Sequence, residues 1–92
     1  MKQESAETLA LTALAWLAGS DDMLPVFLGA TGASLDDVKN RAQDPEFLAS
    51  VLDFLIMDDA WIAAFSESTG VPLEAPLEAR QALPGGLVRN WT

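Results

Sequence analysis

Residues 45–57, PEFLASVLDFLIM, decide the fold, because only Glu46, Ser50 and Asp53 are polar in this run and apolar residues occupy almost every helical face. A helix that is apolar nearly all round is a buried one. These 13 residues are too few to cross a bilayer, which takes roughly 20 apolar residues. The stretch therefore predicts the central helix of a small all-α domain. Asp44 ahead of it is a cap, and Pro45 suits the first helical position, where its missing N–H costs nothing.

Working outward, Asp58-Asp59 interrupts the run and caps a further helix over Ala60 to Ser68 that buries Trp61, Ile62 and Phe65, with Gly70 as its stop. A last helix is placed from about Glu74 to Leu83, with Pro76 in its first turn and Pro84-Gly85-Gly86 beyond its end. Towards the N-terminus, Ser34-Leu35-Asp36-Asp37 reads as a capping box with Asp in place of Glu, and launches a short polar helix to about Ala42. Before it lies a helix over Met23 to Ala30, stopped by Gly32. Pro25 must sit within its first turn, which favours Asp21 or Asp22 over Ser20 as its cap. The first helix spans Glu4 to Ala18, with Leu9, Ala13, Trp16 and Leu17 on one face, Ser5 as its cap and Gly19 ending it at positive φ. Alternation of apolar and polar residues is missing throughout, so no strand is expected.

Sliding the sequence by 38 residues superimposes the first three helices on the last three. Residues 9–36 against 47–74 give seven identities in 28 positions: Leu14/Leu52, Leu17/Leu55, Asp21/Asp59, Phe27/Phe65, Thr31/Thr69, Gly32/Gly70 and Leu35/Leu73. Random pairing gives roughly 2, and the matches fall at core and helix-stop positions. One such unit exposes an apolar face, whereas two can bury theirs against each other. The expected architecture is a compact all-α bundle of about five to six short helices, built as two pseudo-repeated three-helix units around a buried central helix. The whole chain, residues 1–92, is read as a single domain with a short apolar C-terminal tail at 87–92.

Several blocks resemble a known family: Leu-Ala-Trp-Leu-Ala in the first helix, the Phe-Leu-x-x-Thr-Gly ending, Asp-Pro-Glu-Phe-Leu-Ala-Ser-Val-Leu-Asp-Phe-Leu followed by Asp-Asp, and the closing Leu-Pro-Gly-Gly. They are similar to domain-of-unknown-function family 3572, a family of short bacterial proteins. The resemblance covers about Leu9 to Gly86, is most specific over Asp44 to Asp59, and departs from the family pattern at Pro76. It implies no catalytic or binding residue, because the family carries no assigned activity.

Composition narrows the chemistry. With no Cys and no His, thiol nucleophiles, the usual zinc ligands and imidazole acid–base catalysis are all absent. The formal charge is −9, from 14 acids against 5 bases. That sign opposes a phosphate backbone or an anionic membrane surface, so neither nucleic acid nor membrane is an expected partner. The acids are spread evenly, with −4 over residues 1–45 and −5 over 46–92, which describes a solvated surface rather than an acidic tail. No charged segment followed by an apolar run and a cleavage site opens the chain, and a cytoplasmic location is expected.

The paired carboxylates Asp21/Asp22, Asp36/Asp37 and Asp58/Asp59 suggest acid–base or metal chemistry, but each pair stands at a helix start, where capping accounts for it. No calcium-loop spacing is present. Ser50 and Asp53 share a face of the central helix. Asp53 is either a buried carboxylate or the place where that helix meets the surface or a hydrogen-bonded neighbour, and the second reading is preferred because buried charge is rare. Ser50 has no activating base. Trp16, Trp61, Met23, Met57 and the Phe residues fall at core spacing, and Gly85-Gly86, with no strand before it, is a chain exit.

The tail carries Leu87, Val88, Arg89 and Trp91 after the last helix has ended. Either it folds back over the core, or these four residues bind a protein partner or a second copy of the chain, since Trp and Arg are favoured interface anchors. The expected function is a non-enzymatic protein-interaction or adaptor module, with no catalytic, cofactor or metal residue and no cofactor. The alternative is a helical bundle that holds a small apolar ligand against Phe54, Met57 and Phe65. An enzyme using Asp53 ranks last.

Overall fold

In a computed structural model, which describes residues 1–83, the capping signals divide the chain into six helices. These are α1 (Gln3–Ala18), α2 (Met23–Thr31), α3 (Leu35–Asn40), α4 (Pro45–Leu55), α5 (Asp59–Thr69) and α6 (Ala75–Ala82). No strand occurs among the described residues. Helix α4 is central: it packs against α1, α2 and α6, and seven of its eleven residues are buried. Asp44 Oδ1 accepts from the Glu46 N–H and Pro45 opens the helix, as the sequence predicts. The neighbouring start signals behave the same way. Ser34 Oγ accepts from Asp37 N while Asp37 Oδ2 accepts from Ser34 N, completing the capping box, and Asp58 Oδ1 accepts from Ala60 N at the head of α5. Helix α6 begins and ends within a residue of its expected bounds, with Pro76 in the first turn.

Aromatic rings lock the core around α4. Phe54 stacks on Trp61 at 4.5 Å between centroids and meets Phe27 edge-on at 5.3 Å, while Trp16 meets Phe65 edge-on at 5.6 Å. Edge-on geometry suits rings whose positive edge faces a negative face. The two edge-on pairs correspond under the 38-residue shift, because Trp16 matches Phe54 and Phe65 matches Phe27. Each unit thus sets an aromatic residue of its first helix against the phenylalanine of the other unit's second helix. Leu14 and Leu52 are both buried, as are Leu17 and Leu55, and Phe27 and Phe65. The helix stops match as well. Gly32 and Gly70 sit at φ +75° and +79°, where a Cβ is costly. Thr31 Oγ donates to Phe27 O and accepts from Ala33 N, and Thr69 Oγ repeats both bonds with Phe65 O and Val71 N.

The third helices differ. Helix α6 lies along α1 and buries Ala75, Pro76, Ala79 and Arg80, whereas α3 has six residues, none of them buried. Small residues explain the contrast, since Ala75 and Ala79 allow close approach where the first unit carries Asp37 and Arg41.

Four local expectations are corrected. Gly19 closes α1 at φ −84°, in ordinary right-handed backbone, so its freedom is not used. Ser5 lies inside α1, whose cap residue is Lys2 and has no side-chain bond. Met57 falls just past the end of α4 and is 71% exposed rather than core. The N-cap position of α2 is Asp22, within the expected pair, but neither Asp21 nor Asp22 makes a side-chain cap bond; Ser20 supplies it, its Oγ accepting from Met23 N and its carbonyl from Leu24 N. Asp58 takes the same backbone bond from Ile62 N in the second unit. Ser20→Ala should therefore lower stability by about 1 kcal/mol in urea denaturation, and Asp21→Ala or Asp22→Ala by less than about 0.5 kcal/mol. The reverse ranking would return the cap to the aspartates.

Candidate functional site

The difference between the third helices opens a cleft of about 200 Å³ between the end of α2, α3 and the start of α4. One wall is the Thr31-Gly32-Ala33 stop; the other sides carry Asp37, Arg41, Glu46 and Ser50, with Phe47 at the base. Under the 38-residue shift the matching positions are Thr69, Gly70, Val71, Ala75 and Ala79 of the second unit and Thr8, Leu9 and Thr12 of α1. There Ala75 and Ala79 are buried and α6 lies against α1, so the same place is filled.

Local structure fixes each polar group. Arg41 ends the short helix and swings back to Asp44, with Nε and Nη2 at 3.2 and 3.0 Å from Oδ2. Its guanidinium lies 5.2 Å from the centre of the Phe47 ring, within range of a cation–π contact. The Arg41 hydrogen bond, followed by the Glu46 N–H, holds the Asp44 carboxyl below its ordinary value. Ser50 Oγ donates to Phe47 O at 2.6 Å and Thr31 Oγ donates to Phe27 O at 2.8 Å. Both hydroxyls have thus spent their single hydrogen.

A second polar pair crosses from α4 to α6. Arg80 Nε donates to Asp53 Oδ1 at 2.5 Å, and the Arg80 side chain is 5% exposed against 32% for Asp53. Arg80 Nη1 is buried with no hydrogen-bond partner among the described residues.

The family model described as "Protein of unknown function (DUF3572)" matches residues 3–86, a range that contains all six helices. The chain belongs to the DUF3572 family. No curated protein and no solved structure matches it.

For this DUF3572 chain the sequence-derived candidates fall into three groups. Asp37 and Asp58 cap helices, as expected, while Asp21 and Asp22 make no side-chain cap. Asp53 meets a hydrogen-bonded neighbour, the reading preferred from sequence, and Ser50 bonds back to its own helix, so the two share a face but engage different partners. Among the described residues no group of three or more acids is placed to hold a metal ion. The partner-binding candidates Leu87, Val88, Arg89 and Trp91 lie outside the described residues, and also outside the matched range of the DUF3572 model. Sequence reasoning missed Arg80 and the cleft. The buried stripe Ala75, Pro76, Ala79, Leu83 runs through Arg80, a legible sign that this arginine faces the core. The cleft is legible only by comparing the two units and asking where Asp37 and Arg41 replace alanines.

Proposed function

We propose that this DUF3572 protein is a non-enzymatic protein-interaction module of the cytoplasm. The observation that carries the reading is the outer face of α2. This helix contains no charged residue and fully buries only Phe27, while Pro25, Val26, Gly29 and Ala30 are exposed on its other side and Val26 is 45% open to solvent. Nothing lies within 4 Å of where a Cβ on Gly29 would stand, so another backbone has room to approach there. Scattered exposed apolar residues are ordinary, but a contiguous uncharged face on an otherwise acidic chain suits a partner surface.

The residue set supports the non-enzymatic part of the proposal. Cys and His are missing, Ser50 and Thr31 donate their hydroxyl hydrogens to backbone carbonyls, and among the described residues the carboxylates with hydrogen-bond partners cap helices, pair with arginine or, at Glu7, accept from Gln3. No observation among the described residues favours the alternative of a bound apolar ligand: Phe54 and Phe65 are packed against other rings, and Met57 points away from them into solvent. The test is capture from native lysate with the wild-type chain and Val26→Asp, matched for folding by circular dichroism. A protein held by the wild type should be lost by at least tenfold with the buried charge, about 1.4 kcal/mol or more. Equal capture by both would remove α2 from the proposal.

A further inference from the structure

We propose that the cleft between α3 and α4 takes the ammonium group of a lysine presented by a protein partner. The assignment rests on which hydrogen-bonding groups remain to be satisfied there. Thr31 and Ser50 have donated their hydroxyl hydrogens to Phe27 O and Phe47 O, so each offers only lone pairs to a guest. The wall at residues 31–33 is the carbonyl end of α2, which has no basic residue in its last turn. A helix C-terminus carries partial negative charge. Asp37 uses Oδ2 for the Ser34 N–H, and its other oxygen and the Glu46 carboxylate add acceptors. The donors of the cleft sit on Arg41, and two of these are committed to Asp44 while the guanidinium plane covers Phe47.

An anion entering here would meet two carboxylates and a helix carbonyl end against the single guanidinium of Arg41, which is already paired with Asp44, within a chain of net charge −9. A neutral apolar guest would leave these acceptors without partners. A compact cation with three divergent N–H groups fits acceptors that converge from α2, α3 and α4 better than a planar guanidinium does. Its methylene stem has Ala33 and the edge of the Arg41 guanidinium that covers Phe47 to lie against. Only the junction of α2, α3 and α4 has this arrangement among the described residues, because the matching positions at the junction of α5, α6 and α1 are alanine, threonine, glycine, leucine and valine under a packed helix.

The cation is assigned to a partner side chain because the cleft continues the α2 face: residues 31–33 end that helix and form the wall. This source, though not the site itself, rests on the protein-interaction reading above. A segment lying along Val26 and Ala30 runs into the cleft at its end.

The test is an amide NMR titration of the full chain with Nα-acetyl-lysine N-methylamide, its Nε-acetylated analogue and 1,4-diaminobutane. The lysine amide should give saturable shifts confined to residues 31–37 and 46–50, and the Nε-acetylated analogue none. Glu46→Gln, which removes one exposed carboxylate, should weaken binding about threefold with an unchanged circular dichroism spectrum. Val26→Asp should leave the titration intact even as it abolishes capture of a partner, which separates failure of the α2 face from failure of the cleft. Absence of saturable shifts, or equal shifts from the Nε-acetylated analogue, would overturn the site. Binding of 1,4-diaminobutane at least tenfold tighter than the lysine amide would overturn its assignment to a protein side chain.

Discussion

Phe27→Ala is expected to cost about 3–5 kcal/mol, a large share of the roughly 5–14 kcal/mol that holds a chain of 92 residues together at about 0.05–0.15 kcal/mol per residue. The ring is fully buried and meets both Phe47 and Phe54 edge-on, at 6.2 and 5.3 Å. Its removal takes away transfer free energy, leaves a cavity beside the central helix and breaks two aromatic contacts at once. The matched residue Phe65, equally buried and in edge-on contact with Trp16, should lose a similar amount on conversion to alanine. Denaturant titration reads both. A cost below about 1.5 kcal/mol for either ring would show that the two units do not share the core as their matching contacts indicate.

The second large effect is expected at the ion pair between α4 and α6. Asp53→Asn should destabilise by about 3 kcal/mol, because it leaves the buried Arg80 guanidinium, 5% exposed, without its countercharge. Replacing the pair together, Asp53→Leu with Arg80→Met, should return stability to within about 1 kcal/mol of the parent, since a desolvated ion pair gains little over apolar packing of similar volume. Arg80 Nη1 is buried without a partner among the described residues, and the methionine removes that burden as well. Urea denaturation of the single and double variants decides. If Asp53→Asn costs less than about 1 kcal/mol, the pair is not what fixes α6 to α4.

Much of this architecture was legible in the sequence because its signals are local and compete with nothing nearby. Asp44-Pro45, the Ser34–Asp37 box and the two Thr-Gly stops each have one residue able to do the work, and each does it. The near-continuous apolar run of α4 has no place but the centre. Where two or three adjacent residues can fill one role, the choice is settled by backbone direction, which composition does not show. Asp22 holds the N-cap position of α2, yet Ser20 makes the side-chain cap bond, and its carbonyl is the one that receives the Leu24 N–H. Gly19 keeps negative φ, with its N–H bonded to Ala15 O in ordinary right-handed backbone.

The candidate site was less legible. Asp53 stood out as a polar residue in an apolar helix, but its partner lies 27 residues away, beyond the reach of periodicity within one helix. The cleft depends on a helix that fails to pack, and no single residue announces that. It emerges from the replacement of two alanines by Asp37 and Arg41 between otherwise matching units.

Because α3 fully buries no residue and only Val38 of its side chains packs partly against the core, detaching it exposes little new apolar surface, and an isolated six-residue helix has little stability of its own in water. One side of the cleft is therefore as durable as the fold itself, through α4, while the opposite side can open and reclose on a much shorter timescale at the loss of the Val38 contact and without disturbing the fully buried residues. Such a hinged wall lets a guest be admitted and released at a free-energy cost far below that of unfolding, so recognition in this protein is insulated from the aromatic packing that keeps it folded.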